Sequence, residues 1–181
     1  MYIKIDIARE GEAPSSIKFG VSVKAIQKTI RECFVGIGTP YEPIRIDNFV
    51  DLRGFEFPVI QADTLITISL ESKKKQKRNP RLLCCRVINV GRDFNEKGDF
   101  PENHWETIFK GNESDIYGAP DGTLFITPNK KNKCKIATLK KVPNVFVAYS
   151  VIFSLDMTLR KGHKRRYYFI LDPVVRISSN T

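Results

Sequence analysis

The sequence has no long run of apolar residues. The longest candidate, residues 142–155, is interrupted by Pro143, Asn144 and two serines, and it is shorter than the ~18 residues that a membrane-spanning helix requires. The N-terminal stretch 3–7 alternates isoleucine with charged residues, a pattern that neither a signal peptide nor a transit peptide shows. We therefore expect a soluble, cytoplasmic protein without a membrane partner.

Groups for acid–base catalysis are also scarce. The only two histidines are His104 and His163, and no Walker loop, dinucleotide-binding fingerprint or Ser-His-Asp order can be assembled. His104 lies beside Trp105, where we expect a short helical turn, and His163 lies among cations, where a phosphate contact is more plausible than proton transfer. The sequence thus favours a binding protein without a cofactor over an enzyme, and it leaves the question of catalysis open.

The cysteines show no metal-binding pattern. The chain has four of them, and their spacing matches no zinc motif. Because neighbouring residues of a strand point to opposite faces, Cys84 and Cys85 cannot easily share one metal ion or one disulfide partner. We expect free, reduced and mostly buried thiols at Cys33, Cys84, Cys85 and Cys134, as in a reducing compartment.

Strand patterns outnumber helical patterns along the chain. Residues 22–35 form the best helix, since Val23, Ile26 and Ile30 recur at helical spacing after a possible cap at Ser22. Strands are predicted at residues 2–8, 44–50, 64–71, 82–90, 122–127, 134–139, 145–155, 165–171 and 174–178. We expect one domain, residues 1–181, of the α+β class and mainly β: an antiparallel curled sheet or small β-barrel with one early α-helix and a long acidic loop at residues 91–122.

Positive charge is concentrated in three segments. The chain carries a net charge of +10, from 30 lysines and arginines against 20 aspartates and glutamates. Seventeen of those cations fall in residues 73–81, 130–141 and 160–166, which contain no acidic residue. The remaining 153 residues therefore carry 13 cations against all 20 acidic groups. The sequence describes a mildly acidic body with three basic segments.

Strand order predicts where these segments lie. Each connection in an antiparallel sheet reverses the chain direction. Counted from strand 64–71, the basic segments are the first, third and fifth connections, so we expect them at one end of the sheet. The acidic loop 91–122 and the turn at Val142, Pro143 and Asn144 are the second and fourth connections, and we expect them at the other end.

The basic segments favour a nucleic-acid partner. Clustered lysines and arginines bind phosphate by releasing condensed counterions, largely without reading sequence. The helix also carries Lys24, Lys28 and Arg31, but it does not resemble a helix-turn-helix reader. Tyr167 and Tyr168 follow the third segment directly, and one of the two is expected to face the sheet surface, where it could stack on an unpaired base. The predicted nucleic-acid-binding residues are Lys73, Lys74, Lys75, Lys77, Arg78, Arg81, Lys130, Lys131, Lys133, Arg160, Lys161, Lys164, Arg165, Arg166 and Tyr167.

Two alternatives remain open at this point. The pattern Glu71-Ser72-Lys73 after a strand resembles the acidic-x-Lys site of the PD-(D/E)xK nucleases, with Asp51 as the upstream metal ligand. Asp63 is a poorer partner, because eight residues of strand would separate it from Glu71 by ~26 Å. The other alternative is an assembly component whose basic end binds an acidic partner or the acidic end of another copy.

Overall fold

In the residues that the structure describes, two β-sheets and one α-helix make up the fold. The computed structural model describes residues 1–33, 38–46, 59–71, 78–91, 105–111, 115–160, 163–172 and 174–178. The helix α1 spans Val23–Cys33, and one turn of 3-10 helix spans Trp105–Thr107. The strands are β1 Tyr2–Arg9, β2 Ser15–Gly20, β3 Ile44–Arg45, β4 Val59–Gln61, β5 Thr64–Glu71, β6 Arg81–Gly91, β7 Ile116–Gly118, β8 Leu124–Ile126, β9 Lys133–Ala137, β10 Val145–Arg160, β11 His163–Leu171 and β12 Val174–Ser178.

The first sheet is antiparallel, with the strand order β2-β1-β5-β9. The alternation predicted for β1 sets which of its faces meets the core: Ile3 and Ile5 are buried, whereas Lys4 and Asp6 are only partly buried. In the same way β9 buries Cys134 and Ile136 and turns its lysines outward. Each strand therefore contributes one apolar face to the core and one charged face to solvent.

The second sheet is built around the long strand β10. Its strand order is β3-β11-β10-β6-β8-β7, and β12 pairs with β10 and with β4. β6 occupies one edge of β10, while β11 and β12 share the other edge. The odd-numbered side chains of β10 from Val145 to Met157, among them Val151 and Phe153, are buried, as the apolar character of this stretch predicts for a central strand.

The core lies between the two sheets. A cavity of ≈ 40 Å³ is lined by Ile5 and Ile66 of the first sheet and by Val87, Val147 and Tyr149 of the second. Buried apolar side chains from both sheets and from α1 form one continuous cluster. So small a space with apolar walls is a packing gap and not a ligand site.

The fold class is confirmed: the protein is mainly β, and the described part of the chain contains one α-helix. The sheets do not close into a barrel, and β5 and β6 lie in different sheets instead of one curled sheet. Sequence patterns missed β2, β4 and β7, which are short or lie at a sheet edge and draw their stability from a partner strand. Of the predicted helix, residues 34 and 35 lie outside the described residues, as do residues 47–50 of the strand expected at 44–50.

Candidate nucleic-acid interface

The described parts of the first and third basic segments meet at one end of the second sheet. Arg81, at the start of β6, pairs with Ser154 near the end of β10. Three residues before Arg81, the carbonyl of Arg78 accepts a hydrogen bond of 2.7 Å from the amide of Asp156. Residues 78–81, at the end of the first segment, are therefore hydrogen-bonded to β10, the strand that leads into the third segment.

An asparagine joins the second segment to the first. Asn132 closes the turn between β8 and β9, and its side-chain oxygen accepts a hydrogen bond of 2.9 Å from the amide of Leu82. Its amide nitrogen donates to the carbonyl of Pro80 at 3.5 Å. Asn132 has a φ of 60°, a left-handed conformation that asparagine adopts more readily than most residues. The exposed Lys130 and Lys131 of this turn therefore lie beside the start of β6.

These contacts place the described flanks of all three segments at one end of the sandwich, which we call the basic end. Its exposed predicted residues are Arg81, Lys130, Lys131, Lys164 and Arg165, and its partly buried ones are Arg78, Lys133 and Arg166. Lys73, Lys74, Lys75, Lys77 and Lys161 lie outside the described residues, and the side chain of Arg160 is not described.

The second segment is divided by the fold. Lys135 lies within β9, and Lys140 and Lys141 follow it at the opposite end. There the carbonyl of Leu139 accepts a hydrogen bond from the amide of Asp63, which precedes β5. Residues 130–141 form one cluster in the sequence, but a strand of five residues separates its two lysine pairs in the fold.

Asp156 is the carboxylate that organises the basic end. Its side chain is 16% exposed and lies 2.8 Å from Nη2 of Arg166 and 3.4 Å from Nζ of Lys164. Nε of Arg166 donates a further hydrogen bond of 2.9 Å. Burial alone would raise the pKa of Asp156, but the hydrogen bonds and charges of Arg166 and Lys164 outweigh it and hold the pKa below its ordinary value. This carboxylate fixes two cations in place.

Helix α1 adds cations that were not among the predicted site residues. The guanidinium of Arg78 donates to the side chain of Gln27 at 3.1 Å, and that of Arg31 donates to the carbonyl of Thr158 at 3.2 Å. Lys24, Lys28 and Arg31 line an open groove of ≈ 580 Å³. Their spacing of four and three residues places them on one helical face, and this was the signal available in the sequence.

The burial of Tyr167 argues against the stacking role predicted for it. Its position opposite Leu155 turns it toward the core, where it is 8% exposed. A Cβ atom added at Gly38 would lie 2.9 Å from the ring, and the guanidinium of Arg165 lies 4.3 Å from the ring centroid. Its neighbour Tyr168 occupies the outer face and is partly exposed.

The geometry does not favour the nuclease alternative. Glu71 pairs with Nζ of Lys18 at 3.2 Å and Nζ of Lys4 at 3.5 Å, and the hydrogen bond from Lys18 is the main cause that lowers the pKa of Glu71. Asp63 lies at the opposite end of β5, 3.5 Å from Nζ of Lys110. Asp51 and Lys73 lie outside the described residues. In the part of the chain that the structure describes, no three His, Cys, Asp or Glu residues form a metal-binding group.

Three of the four cysteines have described side chains, all of them free thiols. Cys85 points into the core, whereas Cys84 is partly exposed on the other face, as predicted for neighbours in a strand. Burial raises the pKa of Cys84 to about 11, and the thiol of Cys134 donates to the carbonyl of Ile126 at 3.2 Å. Burial also raises the pKa of Cys85, so the thiols of Cys84 and Cys85 both stay protonated near neutral pH and are poor nucleophiles.

Comparison with known proteins adds no assignment to this geometry. No family model, curated protein or solved structure matches the chain. Within the described ranges, no helix has the length and apolar character needed to cross a membrane.

Proposed function

We propose that this protein binds nucleic acid through its basic end, largely without sequence specificity. The observation that carries the proposal is that the described parts of the first and third basic segments, the turn with Lys130 and Lys131 and one face of α1 meet at a single end of the sandwich. Among the described side chains there, the carboxylates of Asp156 and Glu71 are already paired with cations. A polyanion therefore meets a surface on which positive charge is in clear excess.

The kinds of residue at this end favour contact with the phosphate backbone. Lysine predominates in the first two segments and on α1, and a lysine ammonium is a point charge that does not read base edges bidentately. Contacts with about five cations would give a slope of log K against log salt of roughly −3 to −5. We therefore expect binding to single-stranded or structured DNA or RNA that weakens steeply with salt.

The chain offers a matched pair of variants for the test. Lys130 and Lys131 lie at the basic end, and Lys140 and Lys141 lie at the opposite end; all four are exposed. Replacing either pair by glutamine changes the net charge equally. The first replacement should flatten the salt slope by ~0.7 to 0.9 for each lysine that binds a phosphate, whereas the second should leave the slope unchanged.

The readout is a fluorescence-anisotropy titration of a labelled oligonucleotide at several salt concentrations. A flat salt response of the wild-type protein, or no binding at low salt, would refute the proposal. Equal effects of the two lysine pairs would show that net charge, and not the basic end, governs association.

A further inference from the structure

The outer face of the second sheet continues the basic end toward the middle of the molecule. Along β6, Arg86 lies opposite Ser150 and Arg81 lies opposite Ser154. The two arginines are five positions apart and would point to opposite faces of a regular strand. The register shifts between Ile152 and Phe153, and this irregularity places both arginines on the face of Ser150 and Ser154.

Strand β11 supplies further groups to the same face. Lys164, Arg166 and Tyr168 lie opposite Thr158, Asp156 and Ser154 of β10, respectively. These three β10 residues have the same parity as Ser150 and therefore share its face. The outer face thus carries two cations and a partly exposed tyrosine next to Arg81.

An aromatic pair lies at the other side of this face. Phe125 of β8 lies opposite Arg86, and Tyr117 of β7 lies opposite Phe125. The two rings are stacked, with centroids 5.1 Å apart and planes 8° from parallel, and Tyr117 is 53% exposed. A ring that is backed by a second ring presents a flat surface with little conformational freedom to lose.

The arginine beside the aromatic pair is held in position. Nε of Arg86 donates to the hydroxyl of Ser150 at 3.2 Å, and that hydroxyl donates to Asp172 at 2.6 Å. Asp172 also pairs with Arg45, at 2.9 Å. A second carboxylate, that of Asp121 in the β7–β8 turn, is also engaged, since it accepts a hydrogen bond of 2.9 Å from the amide of Thr123.

We infer that this outer face binds an unpaired nucleic-acid strand, with the arginines along β6 contacting phosphates and the ring of Tyr117 stacking on a base. Arg81 and Arg86 are separated by about 16 Å of strand, so they form a path that leads from the basic end to the aromatic pair. The inference rests on the proposed function and adds the ligand class. A duplex fits less well, because its base faces are covered by their stacked neighbours.

The test compares three ligands of about 12 nucleotides, a length within the range of single-strand binding sites: an unpaired oligonucleotide, the same backbone without bases, and a duplex. Stacking on aromatic side chains contributes ~1 to 3 kcal/mol per base. Tyr117→Ala should therefore weaken binding of the base-containing strand about tenfold and leave the salt slope unchanged. Binding of the abasic strand should not change.

Two further variants serve as controls. Tyr117→Phe keeps the ring and should bind the unpaired oligonucleotide like the wild-type protein. Tyr41→Ala removes a tyrosine that is 96% exposed and that precedes β3, the strand at the opposite edge of the second sheet from β7, and it should have no effect on any ligand.

Two results would overturn the inference while leaving the proposed function intact. One is salt-dependent binding of the wild-type protein that is equal for base-containing, abasic and duplex ligands. The other is an equal effect of Tyr117→Ala on the base-containing and abasic strands, including no effect on either. Absence of salt-dependent binding to every ligand would refute the proposed function, and with it the inference.

Discussion

The two ends of the sandwich are held together by different interactions. At the basic end, polar side chains bind main-chain and charged groups: Asn132 joins two turns, and Asp156 holds Arg166 and Lys164. At the opposite end, the 3-10 helix places Trp105 against two glycines. Cβ atoms added at Gly111 and Gly118 would lie 2.6 and 3.2 Å from the indole ring.

This difference separates the residues that are proposed to bind nucleic acid from those that stabilise the fold. Exposed cations bury little surface, and their individual ion pairs contribute little to the free energy of unfolding. Packed aromatic rings contribute through surface burial and close contact. Substitutions at the basic end should therefore change nucleic-acid affinity with little change in stability, and substitutions at the opposite end should do the reverse.

The largest expected effect is on binding. Replacing Lys130, Lys131, Lys164 and Arg165 together by glutamine removes four exposed cations of the basic end. If each contacts a phosphate, affinity at physiological salt should fall about 10²- to 10³-fold, which a titration at fixed salt would measure. The melting temperature should stay near that of the wild-type protein, and a decrease in affinity of less than about threefold would contradict the assignment of this end.

The next largest effect is on stability, at the opposite end. Trp105→Ala removes the ring that packs over Gly111 and Gly118, and it should lower the free energy of unfolding by about 3 kcal/mol. Urea denaturation would measure this decrease. The salt slope of nucleic-acid binding should remain unchanged, and a changed slope would show that the two ends are coupled.

Two buried hydroxyl groups, one at each end of the sandwich, allow the two ends to be compared directly. Oγ1 of Thr138, at the far end, accepts a hydrogen bond of 2.9 Å from the amide of Thr64 and donates to Gln61 at 3.1 Å. The hydroxyl of Ser154, opposite Arg81, is fully buried without a hydrogen-bond partner among the described residues. Thr138→Val should cost about 1–3 kcal/mol because it leaves buried groups unpaired, whereas Ser154→Ala should be neutral or slightly stabilising. Equal destabilisation of the two variants in urea would contradict this contrast.

The smallest expected effect depends on pH. The folded-state pKa of Asp156 lies below its ordinary value of 3.8, so its ion pairs stabilise the protein above that value and are lost as pH falls through the folded-state pKa. Asp156→Asn should be less stable than the wild-type protein at pH 7, by about 1 kcal/mol, and the difference should shrink below pH ~4. Melting temperatures measured from pH 2 to 7 would show this convergence, and a constant difference would exclude it.

The variant Asp156→Asn should also change nucleic-acid affinity, and in the opposite sense to its effect on stability. Asp156→Asn removes a carboxylate from the surface that is proposed to bind phosphate, and it leaves Lys164 and Arg166 without their partner. Nucleic-acid affinity should therefore rise a few-fold, most clearly at low salt. Weaker binding would show that Asp156 acts mainly by positioning Arg166.

The sequence by itself determined the long strands and the concentration of positive charge. Strict alternation identified β1, runs of β-branched residues identified β5 and β10, and helical spacing identified α1. Chain reversal at each connection also predicted that the turn at Lys131, the entry to β6 and the end of β10 lie together. These features are local or follow from counting strands, so they do not depend on which sheets meet.

Only the tertiary structure decided how these parts face one another. Two adjacent tyrosines offer no sequence signal for which one is buried, and the register of β11 on β10 turned Tyr167 inward and Tyr168 outward. The path of β9 separated Lys131 from Lys140, and the register shift in β6 brought Arg81 and Arg86 to one face. In each case the face that a residue occupies depends on a contact with residues far away in the chain, and such contacts cannot be predicted from local sequence patterns.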